Sequence, residues 1–281
     1  MPLIHSYQYG LGGLADFLRS VYAYYVYCHL NEIPYFLYIE NHPFSICFKM
    51  KEIPEEYKKD LNVFQDIGSS SSEKTKTILN SIKKDNCIVF SNIFDFVSFE
   101  DLKKYRNDFI KFLDLTEPVT SRINFLLNFY NLNEFNSIHI RMGDQLMSQV
   151  NIASDIRVRP SELQKKVLIA VEFLRPKSRP IVLFTDNKEL KNILIKDKTD
   201  KSSADIIVMK TQIHHTALQS VDIISTIDTI AEFFIMGLSN EIVTLSSSGF
   251  SFWSSFIFNR DLYQIVDNRV SVFKESDLKY K

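Results

Sequence analysis

Short apolar runs alternate with longer amphipathic stretches along nearly the whole chain, and this alternation restricts the fold more than any other feature. Strand-like runs are IHSYQY (4–9), PYFLYIE (34–40), CIVFS (87–91), NSIHIRM (136–142), PIVLFT (180–185), DIIVM (205–209) and EIVTL (241–245). Between them lie helix-like segments at 14–31, 55–66, 73–84, 99–113, 117–132, 160–174, 187–195 and 225–238. Pro118 and Pro160 stand near helix starts, where a missing N–H leaves no bond unmade. Strand–helix alternation of this kind predicts an α/β protein with mainly parallel sheets. A length of 281 residues suits one large or two small domains. The division is expected in NLNEFN (131–136), giving α/β halves over 1–133 and 134–281. Gly68–Ser72, with its run of serines, reads as a surface loop.

Charge and cysteine usage remove several classes of function. Lys plus Arg number 33 against 34 Asp plus Glu, a net charge of −1, which gives no support to a nucleic-acid or membrane-surface binder. Cys28, Cys47 and Cys87 are too few and too scattered for a disulfide framework or a zinc site. The chain has no run of apolar residues long enough to span a bilayer. MPLIHSYQYG lacks the basic flank and apolar core of a signal peptide. The expectation is a soluble, cytoplasmic protein without a membrane span.

Glycine is scarce, seven in all, so its placement carries information. Three of the seven are Gly10, Gly12 and Gly13, between a strand-like run and a helix-like one. Gly10 to Ala15 fits G-x-G-x-x-A, the dinucleotide fingerprint, and Glu40 closes the next apolar run where a ribose-binding acid can sit. A tight strand–helix turn, or another phosphate or sugar loop, explains the same residues. Helix 14–31 is rich in aromatics (Phe17, Tyr22, Tyr24, Tyr25, Tyr27) and reads as a buried helix behind the first sheet.

The most informative stretch is His139-Ile-Arg141-Met-Gly143-Asp144. Side chains alternate along a strand, so His139 and Arg141 share one face while Ile138 and Ile140 face the core. His139 and Arg141 would then project at the strand's carboxyl end, where open α/β sheets bind ligands. A guanidinium there matches phosphate oxygens two at a time. Alternatively, the pair caps carboxylates from a neighbouring loop.

HIRMGD resembles the HxRxGD motif of GDP-fucose-dependent fucosyltransferases, most closely the α-1,2 family. Three further segments follow that family's order. GLGGLADFL is similar to its N-terminal glycine loop, and Phe184-Thr-Asp186-Asn187 resembles its FSDD. AEFFIMGLSNEIVTLSSSGFSFWSSFIF (231–258) resembles its segment ending in SxxFSWWG. Met142 replaces the family's second Arg, and Asn187 its second Asp.

The resemblance implies two Rossmann-like domains facing a cleft, the C-terminal one holding the donor and the N-terminal one the acceptor. It also implies inverting transfer of fucose from GDP-fucose to a glycan hydroxyl, without a metal or cofactor. The sequence agrees on the metal, since no Asp-x-Asp occurs. The diphosphate then depends on Arg, hydroxyls and helix amides. Arg141 would contact the β-phosphate, with His139 beside the phosphate or ribose. Ser247, Ser248 and Phe250 would form the phosphate-binding start of a helix, although serines there also serve as ordinary N-caps. Gly12 and Gly13 would be among the donor-binding residues. Asp186 either reads guanine or caps helix 187–195, and Glu232 serves the base or ribose. Asp144 is the leading general base, with Asp16 and Asp155 as others. Two different readings stay open: an NAD-dependent oxidoreductase using Gly10–Ala15, and a silent relative that binds nucleotide or glycan without turnover.

Overall fold

A computed structural model describes residues 2–7, 12–40, 42–58, 64–68, 87–91, 96–142, 160–196, 206–213 and 222–274. Gly10, Gly143, Asp144, Asp155, the Gly68–Ser72 loop and the helix expected at 73–84 lie outside these residues. The chain forms two compact units, one from 1–117 with 215–226, the other from 118–214 with 227–281.

The first unit holds a four-stranded parallel sheet of β1 (Leu3–Ser6), β2 (Tyr35–Tyr38), β3 (Phe64–Gly68) and β4 (Cys87–Ser91), ordered β2-β1-β4-β3. Residues 64–66, expected as the end of a helix, are strand. FQDIG lies at the sheet's edge, where one-sided pairing asks for no continuous apolar run, so the apolar pattern that marks central strands is missing there. Helix α1 (Leu14–Leu30) is buried as its aromatic content implies. Tyr22 stacks on Phe109 at 4.1 Å between centroids and 12° between planes. The helix α2 (Glu55–Lys58) is a single turn. The expected helix 99–113 is two helices, α3 (Phe99–Lys104) and α4 (Arg106–Phe112), with Tyr105 (φ −104°, ψ 14°) unwinding the chain between them.

The second unit begins with α5 (Glu117–Phe129) and is built on a six-stranded sheet. Its elements run β5 (Asn136–Ile140), α6 (Pro160–Leu174), β6 (Ile181–Thr185), α7 (Lys188–Lys196), β7 (Ile206–Val208), α8 (Ile223–Leu238), β8 (Glu241–Thr244), α9 (Gly249–Phe258), β9 (Asp261–Val266) and β10 (Arg269–Val272). The strand order is β10-β9-β8-β5-β6-β7, and all pairs are parallel except β9–β10. The five parallel strands, counted along the chain, lie in the order 3-2-1-4-5, which is the Rossmann order 3-2-1-4-5-6 without its last strand. The β9–β10 hairpin went unread in the sequence, although Asp267 and Asn268 supply two consecutive positive φ angles (48° and 61°) at its turn, the requirement of a tight hairpin.

Ile138 and Ile140 lie in the core with Val171, Leu174, Leu183, Val243 and Ile265, as the alternation predicts. Helices α8 and α9 approach closely. A Cβ on Gly237 would lie 2.2 Å from Cδ2 of Phe258, so glycine is the residue that admits this contact.

Candidate active site at the strand-order reversal

The order of strands reverses between β5 and β8, whose outgoing connections leave in opposite directions. Open α/β sheets form their ligand crevice at such a point, beyond the carboxyl ends of the strands. His139, Arg141, Asp186, Ser247, Ser248 and Phe250 all belong to the ends of β5, β6 and β8 or the elements that follow them.

His139 is buried, 4% exposed, and pairs in register with Phe184 of β6 and Thr244 of β8. Its ring stacks on Phe250 at 5.5 Å and 24°, and Phe250 meets the edge of Phe233 at 5.2 Å. Burial lowers the imidazole pKa to about 4, with Asp186 opposing that shift and Arg141 adding to it. His139 is therefore neutral near pH 7 and acts through hydrogen bonding. Its Nδ1 has no partner among the described residues.

Arg141 follows the last residue of β5, and its Nη1 lies 2.8 Å from Oδ2 of Asp186. The other carboxylate oxygen, Oδ1, accepts a 2.8 Å hydrogen bond from the Met142 amide. Asp186 does not cap the next helix. That role falls to Asn187, whose Oδ1 accepts from the Leu190 amide at 2.8 Å. The structure thus brings His139, Arg141 and Asp186 into one group, and the alternative that Arg141 meets a carboxylate from a neighbouring loop is realised by Asp186.

After β8, Ser246 to Ser248 lead into α9. Ser247 Oγ accepts from Nε2 of Gln264 on β9 at 2.9 Å, a partner no motif in the sequence indicated. Ser248 occupies the N-cap position with extended backbone (φ −107°, ψ 126°), but its side chain makes no capping bond. The first intrahelical bond runs from the Phe252 amide to the Ser248 carbonyl at 3.1 Å. The amides of Gly249, Phe250 and Ser251 precede it, at the positive end of the helix dipole. An uncapped helix start of this kind suits an anion.

Glu232 belongs to a buried network. Its Oε1 accepts from Lys191 Nζ at 2.7 Å and from the Thr211 hydroxyl, while Oε2 has no partner among the described residues. Burial raises its pKa, and the Lys191 ammonium opposes that shift. One helical turn earlier, Asp228 accepts from Arg122 Nε at 2.6 Å and from the Gln212 amide at 2.7 Å. Two carboxylates four residues apart on α8 thus hold the segment that follows β7. Lys191 and Thr211 carry no recognisable motif, so sequence spacing left them unnoticed.

The glycine turn belongs to the first unit. Gly12 has φ +125°, a conformation that favours glycine. The Gly13 amide donates to Oδ2 of Asp16 at 3.1 Å, and Asp16 pairs with Arg19 at 2.8 Å. A carboxylate of the chain itself therefore occupies an amide that a dinucleotide pyrophosphate would need. Glu40 accepts from the Tyr38 hydroxyl at 3.1 Å on the surface. Among the described residues, no group of three or more His, Cys, Asp or Glu is arranged to hold a metal ion, and no helix is long and apolar enough to cross a membrane.

No family model matches the sequence, and no curated protein matches it. Solved structures do match. A NodZ α-1,6-fucosyltransferase soaked with GDP-fucose superposes with a TM-score of 0.62 at 10% identity, over 97% of this chain and 98% of that one. The Bradyrhizobium fucosyltransferase NodZ gives 0.60 at 13% identity, with the same coverage of 97% and 98%. A variant of Arabidopsis thaliana FUT1 in complex with GDP gives 0.59 at 10% identity over 95% and 72%. POFUT1 in complex with GDP gives 0.54 at 11% identity over 92% and 95%. At such identities the likeness is one of fold, and the chain has the two-unit α/β fold of these fucosyltransferases.

Proposed function

We propose that the chain is an inverting, metal-independent glycosyltransferase that moves fucose from GDP-fucose to a hydroxyl of a glycan. In this reading residues 134–281 bind the donor and residues 1–133 form the acceptor side. The observation that carries it is the placement of the Arg141 guanidinium and the uncapped start of α9 at the strand-order reversal of a Rossmann sheet. The GDP and GDP-fucose bound by the structural neighbours support the choice of donor.

Chemistry follows from charge. The acceptor hydroxyl attacks the anomeric carbon from the face opposite the diphosphate. A C–O bond forms there as the bond to the β-phosphate oxygen breaks, and its electron pair leaves with GDP. The transition state places negative charge on that oxygen. Arg141 and the first-turn amides of α9, with the hydroxyls of Ser247 and Ser248, meet this charge without a cation. Neutral His139 supplies a hydrogen bond to the phosphate or ribose and rests on the Phe250 ring. Asp144 receives the acceptor proton.

Thermal-shift measurements with GDP, UDP, GDP-fucose and NAD test the reading. GDP and GDP-fucose are expected to raise the melting temperature of the protein, and Arg141→Ala to abolish the effect. Hydrolysis of GDP-fucose should persist in chelator. Stabilisation by NAD alone, or GDP binding with neither hydrolysis nor transfer, overturns the proposal.

A further inference from the structure

We infer that Asp186 is a positioning residue, holding the Arg141 guanidinium in a fixed orientation rather than touching the donor; the inference rests on the proposed role of Arg141 at the diphosphate. Its carboxylate grips β5's carboxyl end at two points, the Arg141 Nη1 and the Met142 amide, each at 2.8 Å. The side chain of Asp186 is 12% exposed and that of Arg141 23%, so both are largely buried, the anion more than the cation. Asp186 itself stands on a braced turn. The Asn187 amide donates to the Thr185 hydroxyl at 3.2 Å, and Asn187 caps α7. β5 and β6 are in direct register up to Ile140 and Thr185. Asp186 is thus tied back to the sheet by hydrogen bonds and strand pairing.

A negative charge at this distance subtracts from the attraction between Arg141 and a diphosphate. It does not serve ground-state affinity. What it adds is geometry: one Nη is tied inward, which fixes the guanidinium plane and aims the remaining N–H donors. Fixed donors favour the transition state, where the oxygen charge develops, over the bound donor, where it has not. A guanine-reading carboxylate makes the opposite demand, since both of its oxygens must face the base.

Asp186→Asn separates these roles. The amide keeps the shape and still accepts from Met142, but loses the charge that ties Arg141. In the variant the kcat for GDP-fucose turnover is expected to fall tenfold or more, while the Kd for GDP by calorimetry stays within threefold or tightens. Asp186→Glu should restore part of kcat. In the protein without ligand, 15N spectra of the Arg141 guanidinium should show restricted rotation in wild type and free averaging in Asp186→Asn. A tenfold loss of GDP affinity with UDP binding unchanged identifies a base reader and overturns the inference. Unchanged kcat overturns it as well. Should wild type neither bind GDP nor turn over GDP-fucose, the functional reading fails by itself. The guanidinium spectra then decide the positioning role, and an Arg141 already averaging in wild type rejects it.

Discussion

Replacing Gly237 by Ala sets two opposing effects against each other at a single methyl group. In a helix, alanine is more favourable than glycine by up to about 1 kcal/mol, and Gly237 lies in the last turn of α8. Here the added Cβ would lie 2.2 Å from the Phe258 ring, well inside contact distance. The ring belongs to the end of α9 and also meets Phe234 edge-on at 5.3 Å, so relief requires moving the ring or separating the helices. Overpacking of this kind costs about 1–3 kcal/mol, which outweighs the propensity gain. Gly237→Ala is expected to destabilise the protein by about 1 kcal/mol net, a fall in Tm of about 2–4 °C for a chain of this size. Urea denaturation of Gly237→Ala, Phe258→Ala and the double variant isolates the contact. In the Phe258→Ala background the same glycine substitution should stabilise by about 1 kcal/mol, leaving a coupling of about 2 kcal/mol. If Gly237→Ala stabilises the wild-type background as much as the truncated one, the close approach of α8 and α9 is not a constraint and the reasoning fails.

The buried imidazole of His139 gives a pH prediction. Its pKa of about 4 in the fold lies below the ordinary 6.5, so the unfolded chain binds the proton more tightly. Its contribution, about 3 kcal/mol, is complete above pH 6.5 and is lost as pH falls toward 4. Unfolding free energies measured across that range should fall less steeply in His139→Asn; an unchanged slope would mean the imidazole is not buried neutral. Lys191→Met removes the ammonium that faces Glu232 in a site where both are almost inaccessible, and should cost about 3–5 kcal/mol. Lys191→Met combined with Glu232→Leu should recover most of it, as read by the urea midpoint.

Parallel α/β architecture was legible because strands covered on both faces carry near-continuous apolar runs, and PIVLFT and the middle of EIVTL do. Strand β3 was not, because edge position frees FQDIG from that requirement. His139 and Arg141 were legible as partners on one face through the period of two along a strand. Asp186 was legible only as a residue at the end of a strand. Asn187, next to it, took the cap because its side chain reaches the Leu190 amide. Gln264, Lys191 and Thr211 left no signal, since contacts between segments distant in sequence have no spacing to read.

Local pattern thus marked strands β1, β2 and β4 to β8, which faces of β5 look inward, and where glycine permits a turn. Strand order, and with it the reversal between β5 and β8, is a property of pairing between remote segments. Only the tertiary structure decided that Arg141 is tied to Asp186, that Ser248 leaves α9 uncapped, and that His139 is neutral. The physical reason is that charge state and orientation depend on what burial places beside a group, and local sequence specifies only the backbone that carries it.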